Sequence, residues 1–102
     1  MTLLTKQEIG AFIESQSIWT ISDDQLSMTC ALTFTDFAAA FGFMSEISIH
    51  AEKMDHHPKW ENIYNRVNIL LTTHNFNGLT ARDTALAEII TKAYKVRTEQ
   101  VS

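Results

Sequence analysis

Cysteine, proline and glycine are all scarce: the 102 residues include one cysteine, one proline and three glycines. A lone Cys30 cannot close an intrachain disulfide. That excludes a disulfide framework and a cysteine-based zinc cluster, and it fits a reducing, cytoplasmic setting. So little glycine and proline argues against a loop-rich or low-complexity chain. Basic residues are in deficit too, 8 Lys and Arg against 12 Asp and Glu, for a net charge of −4 at pH 7. A nucleic-acid binder needs a positive face for phosphates, so no direct nucleic-acid binding is expected. No apolar run approaches the ~20 residues that span a bilayer. Met1 to Glu8 has neither the charged start nor the apolar block of a signal peptide. The expectation is a soluble cytoplasmic protein with no membrane partner.

What is present suffices for one core. Hydrophobic residues make up 45% of the chain, and its length is that of one ordinary domain, so residues 1–102 are expected to form a single domain. Thr5-Lys6-Gln7-Glu8 fits a capping box, with Thr5 as N-cap and Glu8 reaching back. A helix from Lys6 to about Glu14 would bury Ile9, Phe12 and Ile13. Ile18 to Ile21 reads as a brief strand and Ser22 to Gln25 as its turn. From Leu26 to Phe34 the alternation is clean: Leu26, Met28, Cys30, Leu32 and Phe34 share one face, while Ser27, Thr29, Ala31 and Thr33 share the other. That is a strand with one face on a core, and it makes Cys30 a packing residue.

Thr35 is the expected cap of a long helix reaching about Asp55. At ~100° per residue, Phe37, Ala40, Phe41, Phe43, Met44, Ile47, Ala51 and Met54 fall on one arc roughly 160° wide. An arc that broad can cover a sheet and still offer a margin to a second molecule, or it can lie wholly within its own domain. Pro58 then disfavours helix in the residue before it. A hairpin follows, from Trp60 to Tyr64, through an Asn65-Arg66 turn, and from Val67 to His74. Gly78 breaks the loop, and Thr80 to Asp83 opens a last helix with a capping threonine and an acidic third position. That helix shows Leu86, Ile89, Ile90, Ala93 and Tyr94 to the core as far as Lys95, with a frayed tail from Val96 to Ser102. The fold expected is α+β, a four-stranded antiparallel sheet with three helices on one face, in the order αββαββα.

Four histidines stand at positions 50, 56, 57 and 74. His56 and His57 are expected to close the long helix and His74 to close a strand, so their imidazoles can meet on one rim. An imidazole titrating near ~6.5 both gives and takes protons at neutral pH. The plainer alternative is that His56 and His57 only complement the negative end of the helix dipole. Glu52, four residues before His56, is placed on the same helix face to orient it. Asp83 has a plain reading as a helix-capping acid. Trp60 and Tyr64 can floor a flat ligand or simply join the core. A zinc site of His56, His57 and His74 is disfavoured, because adjacent helical histidines diverge by ~100°. No phosphate loop or nucleotide fingerprint is present. Acid–base chemistry on a neutral ligand remains, or no chemistry.

The stretch Ala51 to Trp60, with Glu52, His56-His57-Pro58 and Trp60, resembles the signature of the pterin-4a-carbinolamine dehydratase family. The likeness continues through Asn62 to Asn65, Leu71 to His74 and Gly78 to Asp83, with Phe41 to Met44 upstream. Glu52, His56, His57, Pro58, Tyr64, His74 and Asp83 fill every place in the family's pattern. The resemblance implies a hydro-lyase with no metal and no organic cofactor. Its substrate would be 4a-hydroxytetrahydropterin, and its products quinonoid dihydropterin and water, recycling pterin for aromatic amino-acid hydroxylation.

On that resemblance His56 and His74 form the acid–base pair, in either order. His57 binds substrate and stabilises charge, and Glu52 orients. His56, His57, Pro58, Thr73, His74, Asn75 and Phe76 line the pterin, with Asp83, Trp60 and Tyr64 in support. Family resemblance and the broad apolar arc together imply a homo-oligomer, dimer or tetramer. Animal members of the family also act as dimerisation cofactors of a transcription factor. A protein partner on the long helix is therefore the second reading, and it would need Phe43, Ile47 and Met54.

Overall fold

The Thr5 hydroxyl accepts from the Glu8 N–H at 3.1 Å and the Glu8 carboxylate accepts from the Thr5 N–H at 2.8 Å, so the first helix starts where its capping residues dictate. These contacts belong to a computed structural model of the chain, which describes residues 1–98. Helix α1 spans Lys6–Ser15 and buries Ile9, with Phe12 and Ile13 half-buried. Strand β1 is only Thr20–Ile21, two residues shorter than the Ile18 to Ile21 expected. Trp19 leaves the ladder and turns inward, its indole N–H donating to the Thr91 hydroxyl at 2.9 Å.

Strand β2, Met28–Thr33, alternates buried and exposed throughout. Leu26, expected to begin it, belongs to the preceding turn. There the Asp24 carboxylate accepts from the Leu26 N–H at 3.0 Å and from the Ser22 hydroxyl at 2.6 Å. Helix α2 spans Phe37–Met54, and its cap is Asp36 rather than Thr35: the Asp36 carboxylate accepts from the Ala39 N–H at 2.8 Å. Strand β3 is Lys59–Ile63, strand β4 is Arg66–Leu71 and helix α3 is Ala81–Thr98. The turn between β3 and β4 is Tyr64-Asn65, one residue earlier than expected, with Tyr64 left-handed at φ 53°. The Asn62 side-chain amide stabilises it by donating to the carbonyls of Tyr64 and Arg66. Helix α3 runs past Lys95 through Val96 to Thr98, and the rest of the expected frayed tail lies outside the described residues.

The element order is αββαββα, and the four strands pair antiparallel in the order β1-β2-β4-β3. In the register Cys30 lies beside Ile69, so Met28, Cys30 and Leu32 share a buried face with Val67, Ile69 and Leu71. All three helices pack on that face, contributing Ile9, Phe43, Ile47, Leu86 and Ile90 to one cluster. Thr29, Ala31 and Asn68 stay exposed on the other face. Burial pushes the Cys30 thiol up to about 12, in keeping with a packing role.

The apolar arc of α2 divides unexpectedly. Phe43 and Ile47 have no exposed surface and belong to the chain's own core, where the Phe43 ring lies 5.0 Å from that of Phe34. Met54 is half-buried against the same cluster. Phe37 and Phe41 are the ones left outside, at 50% and 55% exposure. The margin available to another molecule is therefore theirs, and not that of Phe43, Ile47 and Met54. Among the described residues no helix is long and apolar enough to cross a membrane.

Candidate functional site

The site begins with the way α2 ends. Asp55 is left-handed at φ 53°, the Asp55 N–H donates to the Glu52 carbonyl and the His56 N–H donates to the Ala51 carbonyl. This is a Schellman termination with Asp in the place that glycine usually takes. The helix therefore stops at Met54, and Pro58 lies further along the chain. His56 and His57 follow the helix instead of closing it, and their side chains part company.

His56 turns inward and is 7% exposed. Its Nε2 lies 2.6 Å from Asp83 Oδ1. Asp83 is the third residue of α3 and has no exposed surface. Its other oxygen, Oδ2, accepts from the Thr80 N–H at 2.9 Å and from the Thr73 hydroxyl at 2.7 Å. Asp83, read from the sequence as a helix-capping acid, caps with one oxygen and holds the His56 imidazole with the other.

His57 turns outward, and its Nε2 lies 2.9 Å from Glu52 Oε1, the two side chains being 58% and 81% exposed. Glu52 thus partners His57 and not His56, a correction with a simple cause. The four-residue spacing joins side chains only while the helix continues, and here it has ended. Leaving the helix by the left-handed residue swings His57 back over the last turn, where Glu52 waits.

His74 opens a single 3₁₀ turn, His74–Phe76, instead of ending β4, which stops at Leu71. The turn is clamped at its base, where the Thr73 N–H donates to the Gly78 carbonyl at 2.8 Å and the Phe76 N–H to the Thr73 carbonyl at 3.0 Å. His74, Asn75 and Phe76 are exposed, whereas Thr73 is buried beneath them. Since His56 and Thr73 both bond to Asp83, that carboxylate draws the His56-His57 and Thr73-His74 segments to one place. Pro58 is half-buried beside them. Trp60, across from Ile69, packs on the core. Tyr64 sits at the far turn, roughly 13 Å along the strand direction from Trp60. Trp60 and Tyr64 therefore do not form one floor. His50 is half-buried and lines a separate cleft with Ile89 and Arg97 of α3.

Sequence reasoning missed Thr80, whose hydroxyl lies 2.7 Å from that of Thr73. Its signal was the capping position before Ala81, read for the helix alone. Both histidine Nε2 atoms already have carboxylate partners, and among the described residues no three His, Cys, Asp or Glu side chains are grouped as a metal-binding set. An inward imidazole on a buried carboxylate, beside two exposed imidazoles, can exchange protons with a bound ligand at more than one atom.

Residues 2–93 match a family model described as pterin 4 alpha carbinolamine dehydratase. A relative from Rhizorhabdus wittichii that carries the pterin-4-alpha-carbinolamine dehydratase name is 46% identical over 85% of this chain and 90% of its own. One from Prochlorococcus marinus carrying the same name is 45% identical over 90% of this chain and 95% of its own. The crystal structure of a transcriptional coactivator/pterin dehydratase from Brucella melitensis superposes with a TM-score of 0.87 at 38% identity, covering 91% of this chain and 99% of that one.

Proposed function

Since the chain belongs to the pterin 4 alpha carbinolamine dehydratase family, and with it to the dehydratase class of hydro-lyases, we propose that it dehydrates 4a-hydroxytetrahydropterin to quinonoid dihydropterin. The observation that carries the reading is the buried His56–Asp83 pair set beside the exposed His57 and His74. In the reaction the C4a–O bond breaks and its oxygen leaves as water, taking a proton from an acid. The ring-nitrogen proton passes to a base, and its electron pair forms the C=N bond. His56 and His74 are the acid and base, in either order.

Asp83 orients His56, while Glu52 orients His57, which binds the ligand and stabilises charge. Pro58, Asn75 and Phe76 border the ring, with the Thr73 backbone at its edge. The chemistry needs neither metal nor organic cofactor, because both steps are proton transfers. In the cell, which the lone cysteine suggests is a cytoplasmic setting, the role is to recycle pterin for aromatic amino-acid hydroxylation. The test is an assay of the purified protein on freshly generated carbinolamine. Acceleration above the unaided rate is expected, and its absence would sink the reading.

A second reading concerns association. Phe37 and Phe41 stand with ring centroids 5.7 Å apart on the exposed margin of α2. Apolar side chains at that exposure favour a protein contact. A homodimer or homotetramer is proposed there, and a partner protein of the kind the Brucella name suggests would use the same margin.

A further inference from the structure

The hydrogen-bond inventory around Asp83 determines more than the position of His56. Thr73 Oγ1 has one proton, and it donates that proton to Asp83 Oδ2 at 2.7 Å. The 2.7 Å contact between the Thr73 and Thr80 hydroxyls must then run the other way, with Thr80 donating to Thr73. Thr80 Oγ1 can do so because it also accepts, from the Arg82 N–H at 3.3 Å. The Thr80 N–H supplies a second proton to Oδ2 at 2.9 Å. Every proton in this chain points toward the carboxylate. Asp83 therefore has no use for a proton of its own, and the remaining donor, at 2.6 Å from Oδ1, is His56 Nε2.

We propose that Thr73 is a positioning residue, its hydroxyl proton steered by Thr80 onto Asp83, so that His56 is held as the Nε2–H tautomer and exchanges protons only at Nδ1. The proposal rests on the dehydratase reading for its consequence in turnover, but not for the tautomer itself. Whether the ring is neutral or charged, Nε2 keeps its proton, and the atom that gains or loses one is Nδ1. That atom has no hydrogen-bond partner among the described residues, and it is not among the buried polar atoms left unpartnered, so it opens to solvent. The small exposed fraction of His56 is thus where the chemistry has access. Thr73 serves from behind, since its own side chain is buried and bonded twice.

The test is the ¹⁵N spectrum of the histidine rings, assigned with single-histidine variants and recorded on the full chain without ligand, alongside turnover. Wild-type His56 is expected to show a protonated Nε2 and a free Nδ1, and the reverse tautomer would overturn the proposal outright. Thr73→Val should lose the single tautomer and reduce kcat by roughly 10-fold or more, with KM changed far less, as when one hydrogen bond to a charged group is lost. Thr73→Ser, which keeps the hydroxyl, should restore both the tautomer and most of the turnover. A folded Thr73→Val with the wild-type tautomer would overturn the proposal. If Thr73→Val does not fold, Thr80→Ala removes the steering donor, and an unchanged tautomer there counts against the proposal equally. A wild-type protein with the expected tautomer but no dehydration of carbinolamine would refute the proposed function and leave the positioning of His56 standing.

Discussion

His56 and Asp83, 27 positions apart in the chain, meet at 2.6 Å between Nε2 and Oδ1, with the carboxylate wholly buried. Asp83 is at once the acid that caps α3 and the group that aims an imidazole delivered from the far end of α2. Replacing it by asparagine keeps the size but puts an amide where two acceptor oxygens are needed. Asp83→Asn should lower kcat by roughly 10² or more, as expected for the orienting carboxylate of an imidazole. It should also destabilise the fold by about 1–3 kcal/mol, because buried donors lose an acceptor. Steady-state kinetics and a thermal melt check the two effects separately.

The Glu52–His57 pair is exposed and should behave differently. Glu52→Gln is expected to change stability by less than about 1 kcal/mol, the usual worth of a surface ion pair. Its effect should fall mainly on KM, if His57 serves in binding. A melt shifted by many degrees, or a large fall in kcat at constant KM, would contradict this.

Much of this arrangement was legible in the residues, and what was not has physical reasons. The box at Thr5 appears as read, and the alternation read from Leu26 to Phe34 forms a strand over Met28 to Thr33, since both signals act over a few residues. The end of α2 does not announce itself, because an aspartate in the left-handed conformation carries no sequence mark comparable to glycine. That one residue decides which imidazole Glu52 meets. The turn at Tyr64-Asn65 depends on an Asn62 side chain bonding to two carbonyls, a contact that composition does not reveal. Asp83 was visible as a capping acid and as part of a family pattern. Its bond to His56 is long-range, and only the packing of α3 against the end of α2 creates it.

The exposed margin of α2 supplies a test of association. Phe41→Glu should weaken the oligomer while leaving the melt near that of wild type, because the ring is 55% exposed. Phe43→Glu should instead unfold the chain, since Phe43 lies in the core. Light scattering at micromolar concentration decides. A wild-type monomer would refute the proposed homo-oligomer.

Two groups predict how stability responds to pH. The Ser22 hydroxyl, then the Leu26 N–H, hold Asp24 below its ordinary 3.8, so its contribution is present above that value and fades as pH falls through the folded one. Burial raises the Cys30 thiol from 9.0 to about 12. Between those values the unfolded chain loses a proton that the folded chain keeps, so stability should decline as pH rises through that window. Denaturant melts across both ranges check the signs, and Cys30 should resist alkylation until the protein unfolds.

Turnover of freshly generated carbinolamine by four single-alanine variants, at His50, His56, His57 and His74, is the most direct measurement of the central claim. His56→Ala and His74→Ala are expected to lose roughly 10² to 10⁴ in rate, the usual worth of a general acid or base. His57→Ala should be impaired mostly in binding, and His50→Ala, set away against α3, should stay near wild type. A chelator should leave the wild-type rate unchanged. Full activity in His74→Ala together with loss in His50→Ala would show that the wrong histidines carry the reaction.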